Sequence, residues 1–216
     1  EKITLTVNGP LGAPTEAFYG YLKESNTAIM EMAMASGITL VSRQDLDPMA
    51  ATTFGVGEMI KDAIGRGIRH FIIGIGGSAT NDGGTGMLTA LGYEFLDAKG
   101  KPVGPGGQCL EKIASVSDKN RIPALDECVF QIACDVENPL CGPHGATYIY
   151  GPQKGVTEDL LPVLDRGMNN YGHIAEAFTG KSTMSTAGSG ASGGLGFAFV
   201  TFLNGTLKSG TDLILE

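Results

Sequence analysis

Nowhere do the 216 residues of this chain run to the roughly eighteen uninterrupted apolar positions that a membrane-spanning helix needs, so a membrane span is excluded. Basic clusters are missing too. Fifteen Lys and Arg stand against 23 Asp and Glu, a formal net charge of −8, and residues such as Lys61, Arg66 and Arg69 are scattered. Binding along a phosphate backbone requires a basic patch that releases counterions, so nucleic acid is excluded as a partner. Cys109, Cys128, Cys134 and Cys141 form no C-x-x-C pair, and three lie in or beside apolar runs, as expected of buried thiols in a reducing cytoplasm. His70, His144 and His173 are not at ligand spacing from the cysteines or from one another, which argues against zinc. No glycine loop ends in Gly-Lys-Ser/Thr, so there is no P-loop. The opening residues lack a basic stretch before an apolar core, so no signal peptide is expected. Without a repeat or a Ser/Pro-rich linker, the chain reads as one compact cytoplasmic α/β domain over residues 1–216.

Glycine, by contrast, is abundant: 33 of 216 residues, about twice the usual frequency. It concentrates between apolar segments, most densely in Gly74-Ile-Gly-Gly-Ser-Ala-Thr-Asn-Asp-Gly-Gly-Thr-Gly86. This loop follows Phe71-Ile72-Ile73, a buried-strand signal, and leads into a helix beginning near Gly83–Thr85. Strand, polar glycine loop and helix start suggest a site for a phosphate or small acid, with free N–H groups at the helix start facing the anion. Gly74-x-Gly76-x-x-Ala79, with Glu94 twenty residues on, also fits the dinucleotide fingerprint. Five residues of low helix propensity follow where that motif needs a continuous helix, so the match is read as accidental.

Around the loop, Ile3–Val7 reads as a strand, and Phe18–Lys23 and Thr27–Met32 as a hairpin. Thr52 or Thr53 is expected to cap a helix reaching Gly67, with Val56, Ile60 and Ile64 on one face. Ile68–Ile75, Tyr93–Leu96, Ser115–Ser117 and Cys128–Cys134 read as further strands, and Glu158–Ala177 and Gly193–Leu203 as helices. A mixed sheet with flanking helices is the fold class expected. Glu31 sits in an apolar run and should find a partner or face a cleft, whereas Glu58 reads as a solvated helix residue.

The segment from Gly74 through Met87 resembles the signature loop of the bacterial type I glycerate kinases. Similarity extends through Ala28–Gly37, Phe54–Ile60, Ala133–Leu140, Gly151-Pro-Gln-Lys-Gly155 and Gly188–Gly196. The family's Lys/Ser strand–loop and acidic Gly-rich motif at the start, and its last Gly-, Glu- and Asp-containing segment, have no counterpart here. There is no initiator Met either, so the chain reads as the domain inserted into the family's Rossmann-like domain, which is itself absent. Two positions depart from the pattern: Val56 where many members carry Thr, and Asp47 where Asn commonly precedes the Pro.

The resemblance implies transfer of the γ-phosphoryl of ATP to D-glycerate, with Mg²⁺. Asp82 and Asp135, both expected on loops and dispensable for folding, are the candidate catalytic carboxylates, one a base and the other a Mg²⁺ ligand, with the order open. Gly76, Gly77, Ser78, Thr80, Asn81, Asn138 and Lys154 are the candidate substrate- or phosphate-binding residues. The bland readings are an Asx-turn for Asp135, a turn-shaping role for Asn138 and a solvated side chain for Lys154. Gly188–Gly196 is read as close packing in preference to a second anion site. The alternative function is a non-catalytic domain that binds a sugar acid or phosphate.

Overall fold

The computed structural model describes residues 1–211. In chain order its elements are β1 Lys2–Asn8, β2 Pro14–Leu22, β3 Thr27–Glu31, α1 Ala33–Ser36, α2 Phe54–Gly65, β4 His70–Gly74, α3 Thr85–Ala90, β5 Glu94–Leu96 and β6 Ser115–Ser117. These are followed by β7 Val129–Ala133, α4 Ala146–Tyr150, α5 Leu161–Thr179, α6 Ala191–Leu203 and β8 Thr206–Lys208. Six strands form one sheet in the order β1-β2-β3-β4-β7-β8, and β5 and β6 form a separate ribbon. The first three strands are antiparallel, with Leu22 opposite Thr27 at the expected hairpin, and β3, β4, β7 and β8 run parallel. The mixed sheet agrees with the expectation.

Alternation along each strand sends one set of side chains into the core. Ile3, Ala17, Tyr19, Ala28, Met30, Phe71, Ile73, Phe130 and Ile132 are all buried on that face. Phe71 and Phe130, partners across β4 and β7, stack at 4.8 Å. Each such ring buried from water is worth about 1.5–3 kcal/mol. On the core side, α2 lies over β1 and β2, and α6 lies over β7 and β8. The opposite face carries Phe18, Ile29 and Val129, which are 39%, 40% and 50% exposed. Parallel strands are ordinarily covered on both faces; here Lys2 Nζ lies 3.9 Å over the Phe18 ring, and Ile29 and Val129 stay open to water.

The helix ends differ from the expectation in one respect. Thr53 is the residue before α2, but its side chain makes no capping bond there. Its hydroxyl instead donates to Asp82, and Thr52 Oγ1 accepts from the Phe54 amide. Val56, the position that departs from the family pattern, is a buried core residue of α2. Asp47 Oδ1 accepts from the Met49 and Ala50 amides and so closes a turn. Glu58 is not simply solvated, because its carboxylate accepts from both the backbone and the side-chain amide of Asn8. Glu31 is exposed, so water meets the cost of its charge, and its carboxylate lies over Gly74. Cys109 is buried and the other three cysteines are half-buried free thiols, their pKa values pushed up by burial.

Candidate active site

Adjacent parallel strands deliver two loops to one end of the sheet. Gly74 of β4 is level with Ala133 of β7, so Ile75–Ser78 and Cys134–Val136 leave the sheet side by side. Between them lies a cleft of about 260 Å³, lined by Gly76, Gly77, Ser78, Asp135, Tyr150, Lys154 and Ser192 among others. The carboxyl ends of parallel strands are where open α/β sheets hold ligands.

The signature loop divides into two parts with different roles. Gly76 and Gly77 are exposed. The Gly77 carbonyl is held by the Ile38 amide and the Ser36 carbonyl by the Ala79 amide, which pins the loop to the segment after α1. Among the described residues, the amides of Gly76, Gly77 and Ser78 have no acceptor, so three donors lie at the cleft. The second part, Thr80 to Asp82, is fully buried. Asn81 Nδ2 donates to Thr147 Oγ1 at 3.0 Å, while Thr80 Oγ1 and Asn81 Oδ1 are buried with no partner among the described residues. Thr80 and Asn81 therefore do not line the cleft, contrary to the expectation that they hold the ligand.

Asp82 corrects the sequence reading most sharply. Its Oδ2 accepts from Thr53 N at 2.8 Å, Thr53 Oγ1 at 2.9 Å, Gly86 N at 3.2 Å and Thr52 Oγ1 at 3.4 Å. Its Oδ1 accepts from Gly84 N at 3.1 Å, and its carbonyl accepts from the Thr85 amide. Burial raises the carboxyl pKa, against the donors from Thr53, Gly84 and Gly86 that lower it. A carboxylate enclosed in this way reaches neither a substrate hydroxyl nor a metal ion. It serves the orphan N–H groups at the start of α3, so that helix end is capped from within and presents no N–H groups to an anion.

Asp135, by contrast, is exposed at the cleft, with Oδ1 accepting from Gly210 N at 2.9 Å. Among the described residues it is the only Asp or Glu in the lining. Asn138 is committed elsewhere: Nδ2 donates to the His144 carbonyl, and Oδ1 accepts from Tyr150 Oη at 2.6 Å. It positions Tyr150, a cleft residue that sequence reasoning did not single out. Lys154 is 1% exposed, not a mobile surface charge, and its ammonium donates to Ser78 Oγ at 2.7 Å and the Thr80 carbonyl at 2.6 Å. Burial pushes its pKa down to about 7, with the Asp82 charge opposing.

Ser192 is the other residue the sequence reading passed over. It stands at φ 54°, ψ 44°, and Gly193 and Gly194 after it are also left-handed, so the start of α6 makes a reversed turn. A non-glycine residue in that region is uncommon and recurs at functional sites. Its hydroxyl donates to the Ile75 carbonyl. The reversed turn also packs on the signature loop. A Cβ on Gly193 would lie 2.1 Å from the Thr80 carbonyl oxygen, and one on Gly194 would lie 2.8 Å from Gly83 Cα. The packing reading of Gly188–Gly196 agrees with these contacts.

A second hollow of about 500 Å³ lies beside α3 and β5, lined by Phe54, Tyr93, Phe95 and Val103 and holding Glu94 as its only charged residue among those described. Its apolar walls and lack of a cation suit an anionic substrate poorly. No described helix is long and apolar enough to cross a membrane.

The family model described as the glycerate kinase family matches residues 1–216. The chain belongs to the glycerate kinase family. It is 47% identical over 214 residues to the glycerate kinase of Bacillus subtilis (strain 168), covering 99% of this chain and 56% of that protein. Against the glycerate 2-kinase of Escherichia coli (strain K12) the identity is 42% over 208 residues, 96% of this chain and 55% of the relative. A crystal structure of a glycerate kinase 2 from Salmonella typhimurium LT2 superposes with a TM-score of 0.97 at 41% identity, over 99% of this chain and 57% of the other. The chain thus spans little more than half the length of the glycerate kinases it matches.

Proposed function

We propose that this chain is the inserted domain of a glycerate kinase, and that the intact protein transfers the γ-phosphoryl of ATP to a hydroxyl of D-glycerate. The observation that carries this reading is that Gly76, Gly77 and Ser78, whose amides have no acceptor among the described residues, line one cleft with Asp135 at the carboxyl end of β4. Such donors suit the carboxylate of glycerate or a phosphate oxygen, and phosphoryl transfer depends on positioned oxygens and neutralised charge. In the reaction the substrate oxygen bonds to the γ-phosphorus, the bond from phosphorus to the ADP oxygen breaks, and the hydroxyl proton passes to a base. Asp135 is the carboxylate available to accept it.

Among the described residues no three His, Cys, Asp or Glu side chains gather into a metal cage. Magnesium binds through one or two carboxylates plus phosphate oxygens and water, and a lone Asp135 fits that pattern. When bound, the ion would neutralise phosphate charge. The exposed apolar side chains on the far sheet face and the greater length of the relatives support the further proposal that another domain completes the site. An assay coupling ADP release to D-glycerate, run on the intact parent and on this chain, tests the reading. We expect turnover from the parent and none from the chain; a parent that binds glycerate without releasing ADP would overturn it.

A further inference from the structure

A serine hydroxyl carries one proton and two acceptor sites and rotates freely, so it can face a ligand as donor or as acceptor. An ammonium has donors only. Lys154 Nζ donates to Ser78 Oγ at 2.7 Å and to the Thr80 carbonyl at 2.6 Å, from a position almost wholly shielded from water. While that bond stands, Ser78 cannot give its own proton to Nζ. Among the described residues its hydroxyl has no other acceptor, so the proton is directed to the cleft beside the amides of Gly76, Gly77 and Ser78.

We infer that Lys154 is a positioning residue whose buried ammonium fixes the Ser78 hydroxyl as a donor, making this corner of the cleft a four-donor seat selective for an oxyanion. The inference rests on the reading of the cleft as the acid or phosphate site and adds what sets its selectivity. Without its proton, the Lys154 amine has a lone pair, Ser78 donates to it, and the hydroxyl turns oxygen lone pairs toward the ligand. An oxyanion is then repelled at the position where it was held. The ionisable groups around Lys154 are Asp82, behind it in the signature loop, and Cys134, Asp135 and Tyr150 in the cleft lining. Burial already brings the ammonium close to losing its proton near neutrality, so a bound anion holds the proton in place.

The test uses the intact parent protein, with inorganic phosphate and D-glycerate as separate probes. Binding is followed by calorimetry in two buffers of different ionisation heat, from about pH 6 to about pH 8.5. Wild type should take up a proton on binding, and its affinity should fall by up to about tenfold per pH unit above the Lys154 pKa. Lys154→Met should bind weakly, take up no proton and lose the pH dependence. Ser78→Ala should cost less when added to Lys154→Met than it costs in wild type, because the freed hydroxyl is no longer fixed as a donor. Additive losses in the double variant, or unchanged proton uptake in Lys154→Met, would overturn the inference. If wild type binds neither probe, the acid-site reading falls, and the Lys154–Ser78 pairing is judged alone by the ¹³Cε titration of Lys154 without ligand. Ser78→Ala should shift that titration to lower pH, and no shift would sink the pairing even if the variants of Lys154 fail to fold.

Discussion

Replacing Asp82 separates a structural carboxylate from a catalytic one. Its two oxygens receive three backbone amides, those of Thr53, Gly84 and Gly86, together with the hydroxyls of Thr53 and Thr52. Asp82→Asn retains one acceptor oxygen for the crowded Oδ2 position and sets an NH₂ group against Gly84 N. One buried N–H is orphaned, which costs about 1–3 kcal/mol. For a chain of this size that lowers Tm by roughly 2–12 °C. Asp82→Ala orphans all three amides, about 3–9 kcal/mol by the same reckoning, which approaches the whole stability of a typical domain, about 5–15 kcal/mol. We therefore expect Asp82→Asn to fold with a lowered Tm and Asp82→Ala to fold poorly or not at all, measured by thermal and urea unfolding followed by circular dichroism. Should Asp82→Asn keep its Tm within about 1 °C while the intact enzyme carrying it loses turnover, Asp82 would be a reacting group and the capping argument would fail.

Asp135→Asn should behave in the opposite way, because the residue is exposed: stability within about 0.5 kcal/mol of wild type, and turnover of the intact enzyme lower by about 10²-fold or more. Unfolding and steady-state assays on the same preparations check both halves. Gly84→Ala should lower stability by about 2–5 kcal/mol, combining a left-handed penalty with overpacking, since φ is 76° and the new Cβ would lie 2.4 Å from Ala198 Cβ. A Tm unchanged by Gly84→Ala would show that α6 can move away from the loop at little cost. Between pH 7 and 10.5 the unfolded chain holds the Lys154 proton that the folded chain has released, so this residue makes stability rise with pH across that window. Urea midpoints measured across it should show a flatter rise in Lys154→Met, and equal slopes would count against the burial argument.

Much of the sheet was legible because its strands carry their own signals: Phe71–Ile73 and Val129–Ala133 are apolar runs ending at polar or glycine-rich turns. The short elements were not. Helices α1 and α4, of four and five residues, and strand β8, of three, are too brief for a period to show and exist through tertiary pairing. In the site, residue types were readable and directions were not. The loop read as an anion seat offers its amides only from Gly76 to Ser78; three residues on, the chain dives under Gly193 and carries Asp82 inward. An Asp before Gly-Gly-Thr-Gly is a good capping residue, a signal that the functional reading of Asp82 left aside. For Lys154, named from its loop and the resemblance, the burial was what the sequence did not show: the single 3-10 turn at Pro152–Lys154 turns the side chain under the signature loop. Tyr150 and Ser192 enter the cleft through contacts distant in sequence, with Asn138 and with Ile75, that no local pattern announces.

The interlocking of the two glycine segments has a consequence for how such motifs diverge. At Gly84, Gly193 and Gly194 the missing Cβ is occupied by a neighbour, so these positions record the solid fit of α6 on the loop, and Gly86 records the fit of α3 on Thr52 and Phe54. Asp135 and the amides of Gly76, Gly77 and Ser78 record chemistry, while Ser78 has both duties, since its hydroxyl also accepts from the buried Lys154 ammonium. Substitution at Asp135 and at the packed glycines is therefore uncoupled. A descendant could retain every packed glycine, fold identically and take a different ligand, while one that kept Ser78 and Asp135 but lost Gly84 would have lost the scaffold that holds them.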